Sequence, residues 1–177
     1  MIFWNTAEQT LRQIVAELIG SSSAPAIAIA VDMGNRSALD ALESAKRALD
    51  DDEWRSHLEH LASGFGLMLG YRNLYVHSLM GVTWDLESKD LNLKIHGLTS
   101  RLKGEGRLRA TTRSVTTPEM REFKAHCLAL SQYARAIMNE LVDGEWDLSS
   151  LLGLEPPSLE KPVWPTSLQN TPYYLQE

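Results

Sequence analysis

The chain has 177 residues, 44% hydrophobic and 23% charged, with 17 lysines and arginines against 23 aspartates and glutamates and a net charge of −6. That balance suits one ordinary globular domain and excludes a fibre, a disordered tail and a surface built wholly to grip nucleic acid. A single cysteine, Cys127, excludes an internal disulfide framework and a multi-cysteine zinc site, and it points weakly to a reducing, cytoplasmic setting.

The longest apolar stretch, Ala24 to Val31, is well short of the ~20 residues of a bilayer span, and Met1 to Glu8 lack the basic and apolar regions of a secretory signal. The expectation is a chain with no membrane partner and no export signal. Leu11, Ile14, Val15, Leu18 and Ile19 recur at helical spacing, and Thr6-Ala7-Glu8-Gln9 has the form of a capping box. A first helix is predicted from Thr6 to Ile19, ended by Gly20. After Ser21 to Ser23, alanines alternate with Ile27, Ile29 and Val31, a pattern open to helix or strand. Alanine is the best helix former and a poor strand former, which favours helix up to Met33. Gly34-Asn35 then punctuates the chain, and Leu39, Leu42, Ala45 and Leu49 predict a further helix closed by Asp50-Asp51-Asp52, a run suited to a helix cap and a solvated turn.

Trp54, Leu58, Leu61, Phe65, Met68, Leu69, Val76 and Leu79 follow one helical stripe and predict a long central helix. Gly64, Gly66 and Gly70 interrupt it at a cost of ~1 kcal/mol each relative to alanine, with a break or kink expected near Gly70. Beyond it, Leu91, Leu93 and Ile95 alternate with Asn92, Lys94 and His96, turn formers occupy Glu87 to Asp90, and Arg107 to Arg113 alternates again. A small antiparallel hairpin or three-stranded flap is expected at about 82–115. Thr117-Pro118-Glu119 then opens a long helix whose buried face would hold Met120, Phe123, Cys127, Leu130, Ala134, Ile137, Met138 and Leu141, and which should stop near Gly144. The fold class expected is mainly α: a bundle of about five helices within a single domain over residues 1–154, with the flap inserted before the last long helix. Prolines 156, 157, 162, 165 and 172 preclude regular structure over 155–177. Its Trp164, Tyr173 and Tyr174 are free to pack back on the bundle, dock on a second protomer or bind a partner.

One motif stands out. In Tyr71-Arg72-Asn73-Leu74-Tyr75-Val76-His77-Ser78 an arginine is followed at once by an amide and, five positions on, by a histidine. This resembles the R-x(4–6)-H signature of the HEPN superfamily, small helical domains many of which are metal-independent ribonucleases, and asparagine directly after the arginine is the commoner form of that signature. The resemblance covers about residues 6 to 143. It implies a homodimer with a composite cleft, Arg72 and His77 as the catalytic pair, Asn73 orienting them, an RNA substrate, and a toxin, antiphage or stress setting with a cognate antitoxin or regulator. Some relatives couple to a nucleotidyltransferase through a tyrosine two places after the histidine. Leu79 stands there, and that feature is not carried over.

The chemistry stands without the family. Cleavage of RNA by its own 2′-hydroxyl needs a proton taken from that oxygen, a proton given to the 5′ leaving oxygen, and stabilisation of the charge gathered on phosphorus. Histidine titrates near neutral pH, and the arginine fork matches two phosphate oxygens. The spacing carries a complication: at ~100° per residue Arg72 and His77 lie about 140° apart on an unbroken helix, whereas Asn73 and His77, four apart, share a face. Arg72 also falls at the centre of the apolar stripe, a costly place for an unpaired cation, so either a bend near Gly70 or a second protomer across a polar cleft is expected to relieve it.

Weaker signals flank the motif. Arg101, Lys103, Arg107, Arg109 and Arg113 face the single acid Glu105, and on a strand Arg107, Arg109, Thr111 and Arg113 would share one face, a ladder suited to RNA phosphates or to guarding a sheet edge. His57 and His60, three apart, read better as surface histidines than as half a metal site, since no HExxH pattern or cysteine cluster accompanies them. Gly64-Phe65-Gly66 lacks the residues of a phosphate-binding loop, and Ser78 has no oriented acid to make it a nucleophile. No metal and no cofactor are assigned. The competing class is a catalytically silent helical module that binds RNA or a protein partner, and a third is a purely structural dimer.

Overall fold

The structure is a computed structural model that describes residues 2–20, 24–77, 79–84, 91–99, 109–115, 117–142 and 158–165, the side chains of residues 24, 26, 74, 76, 77 and of 79–117 excepted. Most of the described residues lie in five helices: α1 (Ile2–Leu18), α2 (Ala24–Asp32), α3 (Asn35–Arg47), α4 (Asp52–His77) and α5 (Thr117–Leu141). None of the described helices is long and apolar enough to cross a membrane. Two compact units divide the chain, one of residues 1–66 and 126–164, the other of 67–125 and 165–177, so that α4 and α5 each give one half to each unit.

In the first unit, α1 begins a full turn before the capping-box pattern predicts. Thr6 is not an N-cap: its hydroxyl donates to the Ile2 carbonyl (3.1 Å) from inside the helix. The cause is packing. Trp4 is fully buried, 4.8 Å between ring centroids from Phe65 of α4, and anchoring that ring keeps the preceding turn helical against the local capping preference. The other end matches its signal, with Gly20 in the left-handed region (φ 77°) and its N–H donating to Glu17 O. α2 is a helix, as its alanines favour, yet Ile27, Ile29 and Val31 are exposed and, among its described side chains, Ala30 alone is buried. The turn between α2 and α3 is tied to α1 through Arg12, whose Nε donates to Met33 O (3.0 Å) and whose terminal nitrogen donates to Asn35 Oδ1 (3.0 Å); Asn35 in turn donates to Glu8.

Asp51 of the acidic run caps α4. Its Oδ1 accepts from the backbone N–H groups of Glu53 (2.8 Å) and Trp54 (3.1 Å), an arrangement worth ~1 kcal/mol. Leu58, Leu61, Phe65 and Met68 form the buried stripe of this helix, and it continues through Gly64, Gly66 and Gly70 without interruption. Cys127, Leu130, Ala134, Ile137 and Met138 of α5 are buried as the spacing predicts, joined by Tyr133 and Ser131, whereas Phe123 and Leu141 are only half-buried and Met120 is 40% exposed.

In the second unit the backbone between α4 and α5 carries strands β1 (Leu79–Trp84), β2 (Leu91–Thr99) and β3 (Arg109–Val115), antiparallel in the order β1-β2-β3. Leu79, assigned by periodicity to the central helical stripe, therefore belongs to β1. The α4 chain ends at His77 because a strand begins two residues later, which a period-3.6 reading of isolated apolar residues does not register.

Candidate functional site

Arg72 and Asn73 lie on the last turns of α4, and His77 is its final residue. The side chain of His77 lies outside the described residues; its backbone position, one helical turn beyond Asn73, puts the two on the same side of α4. An Arg72 terminal nitrogen donates to Asn73 Oδ1 at 3.1 Å. Arg72 is half-buried and Asn73 exposed.

The buried stripe does not run through Arg72. It passes through Met68, Tyr71 and Tyr75, 0%, 9% and 7% exposed, and leaves Arg72 on its flank. Tyr71 and Tyr75 stack (6.2 Å, 11° between planes) and both meet Phe123 of α5, at 5.7 and 4.8 Å. The predicted stripe omits these two tyrosines, each of which buries a large apolar area and carries a polar tip. The stripe therefore runs beside Arg72 rather than through it, although the Arg72 Nε is itself buried.

Of the expected phosphate ladder, Arg101, Lys103 and Arg107 lie outside the described residues. Arg109, Thr111 and Arg113 occupy alternate positions of β3, at one edge of the sheet, opposite Thr99, Gly97 and Ile95. Paired positions share a face, so the ladder lies on the same face as Leu91, Leu93, Met80, Val82 and Trp84.

His57 and His60 are more than surface histidines. Both are half-buried, and each is held by hydrogen bonds within the first unit. His57 Nδ1 lies 2.8 Å from the Tyr133 hydroxyl. His60 Nε2–H donates to the Pro162 carbonyl (2.7 Å), and the Trp164 indole N–H donates to the His60 carbonyl (3.0 Å). The Trp164 ring stacks on His60 (5.0 Å, 22°) and meets Tyr133 edge-on at 6.4 Å. Lys161 Nζ donates to Ser56 Oγ at 2.6 Å. Residues 158–165, outside any helix or strand, are thereby strapped across α4 and α5. Gly64 makes this possible, because even a methyl group there would overlap the Trp164 ring. Sequence reasoning missed this slot. Its only trace was a glycine four residues after His60 within an apolar stripe, read as a helix-weakening position.

Burial, ahead of the positive charge of Lys161, lowers the His57 pKa from its usual 6.5; Glu53 acts in the opposite direction and His60 adds to the lowering. Burial also pushes the Tyr133 hydroxyl up to about 12 and the Cys127 thiol up to about 11, so both stay protonated at neutral pH. A histidine whose folded pKa is depressed contributes stability that is fully present above its unfolded pKa and is lost as the pH falls toward the folded value. Denaturation midpoints should therefore decline on acidification below about pH 6.5, and His57→Gln should flatten part of that decline. An unchanged acid limb in the variant would remove His57 from the pH dependence.

Comparison of the chain with protein-family models, with curated proteins and with solved structures finds no match.

Proposed function

We propose that the protein is a HEPN-like, metal-independent endoribonuclease that works as a homodimer, with His77 moving protons, Arg72 stabilising charge on the phosphate and Asn73 holding Arg72. The observation that carries this reading is the Arg72–Asn73 hydrogen bond on the accessible flank of α4, one helical turn before His77. A guanidinium held by a neighbouring amide loses less freedom when it takes a phosphate, and its planar fork is the geometry that matches phosphate oxygens. In the reaction proposed, neutral His77 takes the proton of the 2′-hydroxyl, the 2′-oxygen forms a new bond to phosphorus, the bond from phosphorus to the 5′-oxygen breaks, and that oxygen leaves with a proton from an imidazolium. The partner class is RNA, with a cytoplasmic cognate antitoxin or regulator as a further expectation of the same reading.

The direct test is incubation of purified wild type and His77→Ala with a mixed RNA pool. Cleavage by the wild type that disappears in the variant supports the enzyme. Retained RNA binding without cleavage by either assigns the chain to the silent binding module instead. Light scattering across a dilution series tests the dimer, and a strict monomer at high micromolar concentration contradicts the composite cleft.

The same reading takes Arg101, Lys103, Arg107, Arg109 and Arg113 as the RNA contact. Replacing Arg107, Arg109 and Arg113 by alanine should weaken RNA binding steeply and lower the slope of log affinity against log salt by up to about three, because each phosphate contact releases roughly one counterion. Unchanged affinity and slope would reassign these residues to guarding the sheet edge.

A further inference from the structure

We propose that the slot on α4 and α5 that holds residues 158–164 is also a docking site for the same segment of a second copy of this chain. It belongs to the first unit, whereas Arg72, Asn73 and His77 belong to the second, and it stands or falls independently of the ribonuclease reading.

Recognition of the strap is local. Three side-chain or main-chain anchors hold it: the Pro162 carbonyl on His60 Nε2–H, the Trp164 indole N–H on the His60 carbonyl, and Lys161 on Ser56. A single ring, Trp164, enters between His60, Tyr133 and the bare backbone at Gly64. Leu159 and Pro162 are half-buried, whereas Val163 is 87% exposed and Glu160 and Lys161 are also exposed. Residues 158–165 lie outside any helix or strand, so what the slot reads is a short irregular peptide, a lysine and a proline followed two residues later by tryptophan. This is the manner in which aromatic-lined grooves take proline-containing segments, whose restricted backbone loses little entropy on binding.

The chain outside the described residues decides the occupant. Residues 143–157 join the end of α5 to Ser158, fifteen positions that span about 50 Å when fully extended. That reach is enough to deliver the strap to a neighbouring molecule. Every copy carries both a strap and a slot, so a second copy is the partner whose fit is already demonstrated by the docked segment, and exchange of an identical element between copies is a low-cost route to association. Occupancy within one chain competes through an effective concentration of order millimolar, and the docked strap seen here is the closed form.

Two full-length variants separate the halves. Gly64→Ala fills the slot with a methyl while placing a better helix former in α4, which frees the strap. Trp164→Ala keeps the slot and removes the ring that occupies it. Circular dichroism first establishes that both fold. Dye-labelled Gly64→Ala chain is then titrated with unlabelled Trp164→Ala chain or with unlabelled Gly64→Ala chain, and fluorescence anisotropy is read. Association at a concentration at least tenfold lower with the Trp164→Ala chain is the expected result, and any other self-association is common to both titrations. Superimposable curves would overturn the proposal. Gly64→Leu as the labelled chain repeats the test with a bulkier block, and a labelled peptide of residues 158–165 should bind the Trp164→Ala chain at least tenfold more tightly than the Gly64→Leu chain. Equal binding of the peptide to both would overturn the proposal as well.

Discussion

Replacing Arg72 by lysine should be nearly as damaging to RNA cleavage as replacing it by alanine, and His77→Ala should lower the rate by about 10²–10⁴, the usual worth of a positioned general acid or base. The reason for the first is geometric. Arg72 keeps one terminal nitrogen on Asn73 Oδ1, and an ammonium is a point charge that cannot reproduce the planar fork by which a guanidinium matches a phosphate. Asn73→Ala should lower activity less than Arg72→Ala, since it removes one hydrogen bond to the guanidinium but not the guanidinium itself. Single-turnover rates measured on one RNA oligonucleotide order the variants, and full activity in Arg72→Lys would show that only charge is needed.

The second large effect concerns stability. Phe65 is fully buried, meets Trp4 at 4.8 Å and sits between the buried residues Leu61 and Met68 on α4. Phe65→Ala should cost ~3–5 kcal/mol, because the lost transfer energy is joined by that of a cavity the Trp4 indole cannot collapse into. Natural domains have only about 5–15 kcal/mol in hand, so the urea midpoint should fall by a large fraction of its value. Met68→Leu, which conserves volume at an equally buried position, should cost less than about 1.5 kcal/mol. Equal losses in the two variants would show that burial alone, and not the fit of the two rings, sets the stability of this core.

Local signals were most legible where local chemistry decides the outcome. The end of α1 at Gly20, the helical state of the alanine-rich α2, the cap at Asp51 and the buried spacing on α5 all follow from propensity, capping or period. The start of α1 was not legible, because Trp4 gains more by packing on Phe65 than the chain gains by starting at a capping box. The flank position of Arg72 was obscured for a related reason: Tyr71 and Tyr75 carry the stripe, and tyrosine can face either the core or water. Residues 158–165 were read as irregular from their prolines, which they are, but no periodicity announces that one tryptophan and one histidine will fasten an irregular segment to a helix. The motif residues themselves were legible only as a spacing. Arg72 and Asn73 are close because they are neighbours in sequence, and their partnership with His77 rests on chemistry.

The most direct measurement of the central claim is end-group analysis of RNA cleaved in the presence of EDTA, with DNA of the same sequence as control. If His77 moves the protons and Arg72 stabilises the phosphorane, no step calls for a Lewis acid and the attacking group is the 2′-hydroxyl that DNA lacks. The account predicts undiminished cleavage in EDTA, products ending in a 2′,3′-cyclic phosphate and a free 5′-hydroxyl, and intact DNA. Cleavage of the DNA, or activity abolished by EDTA and restored by magnesium or manganese, would contradict the roles given to Arg72, Asn73 and His77.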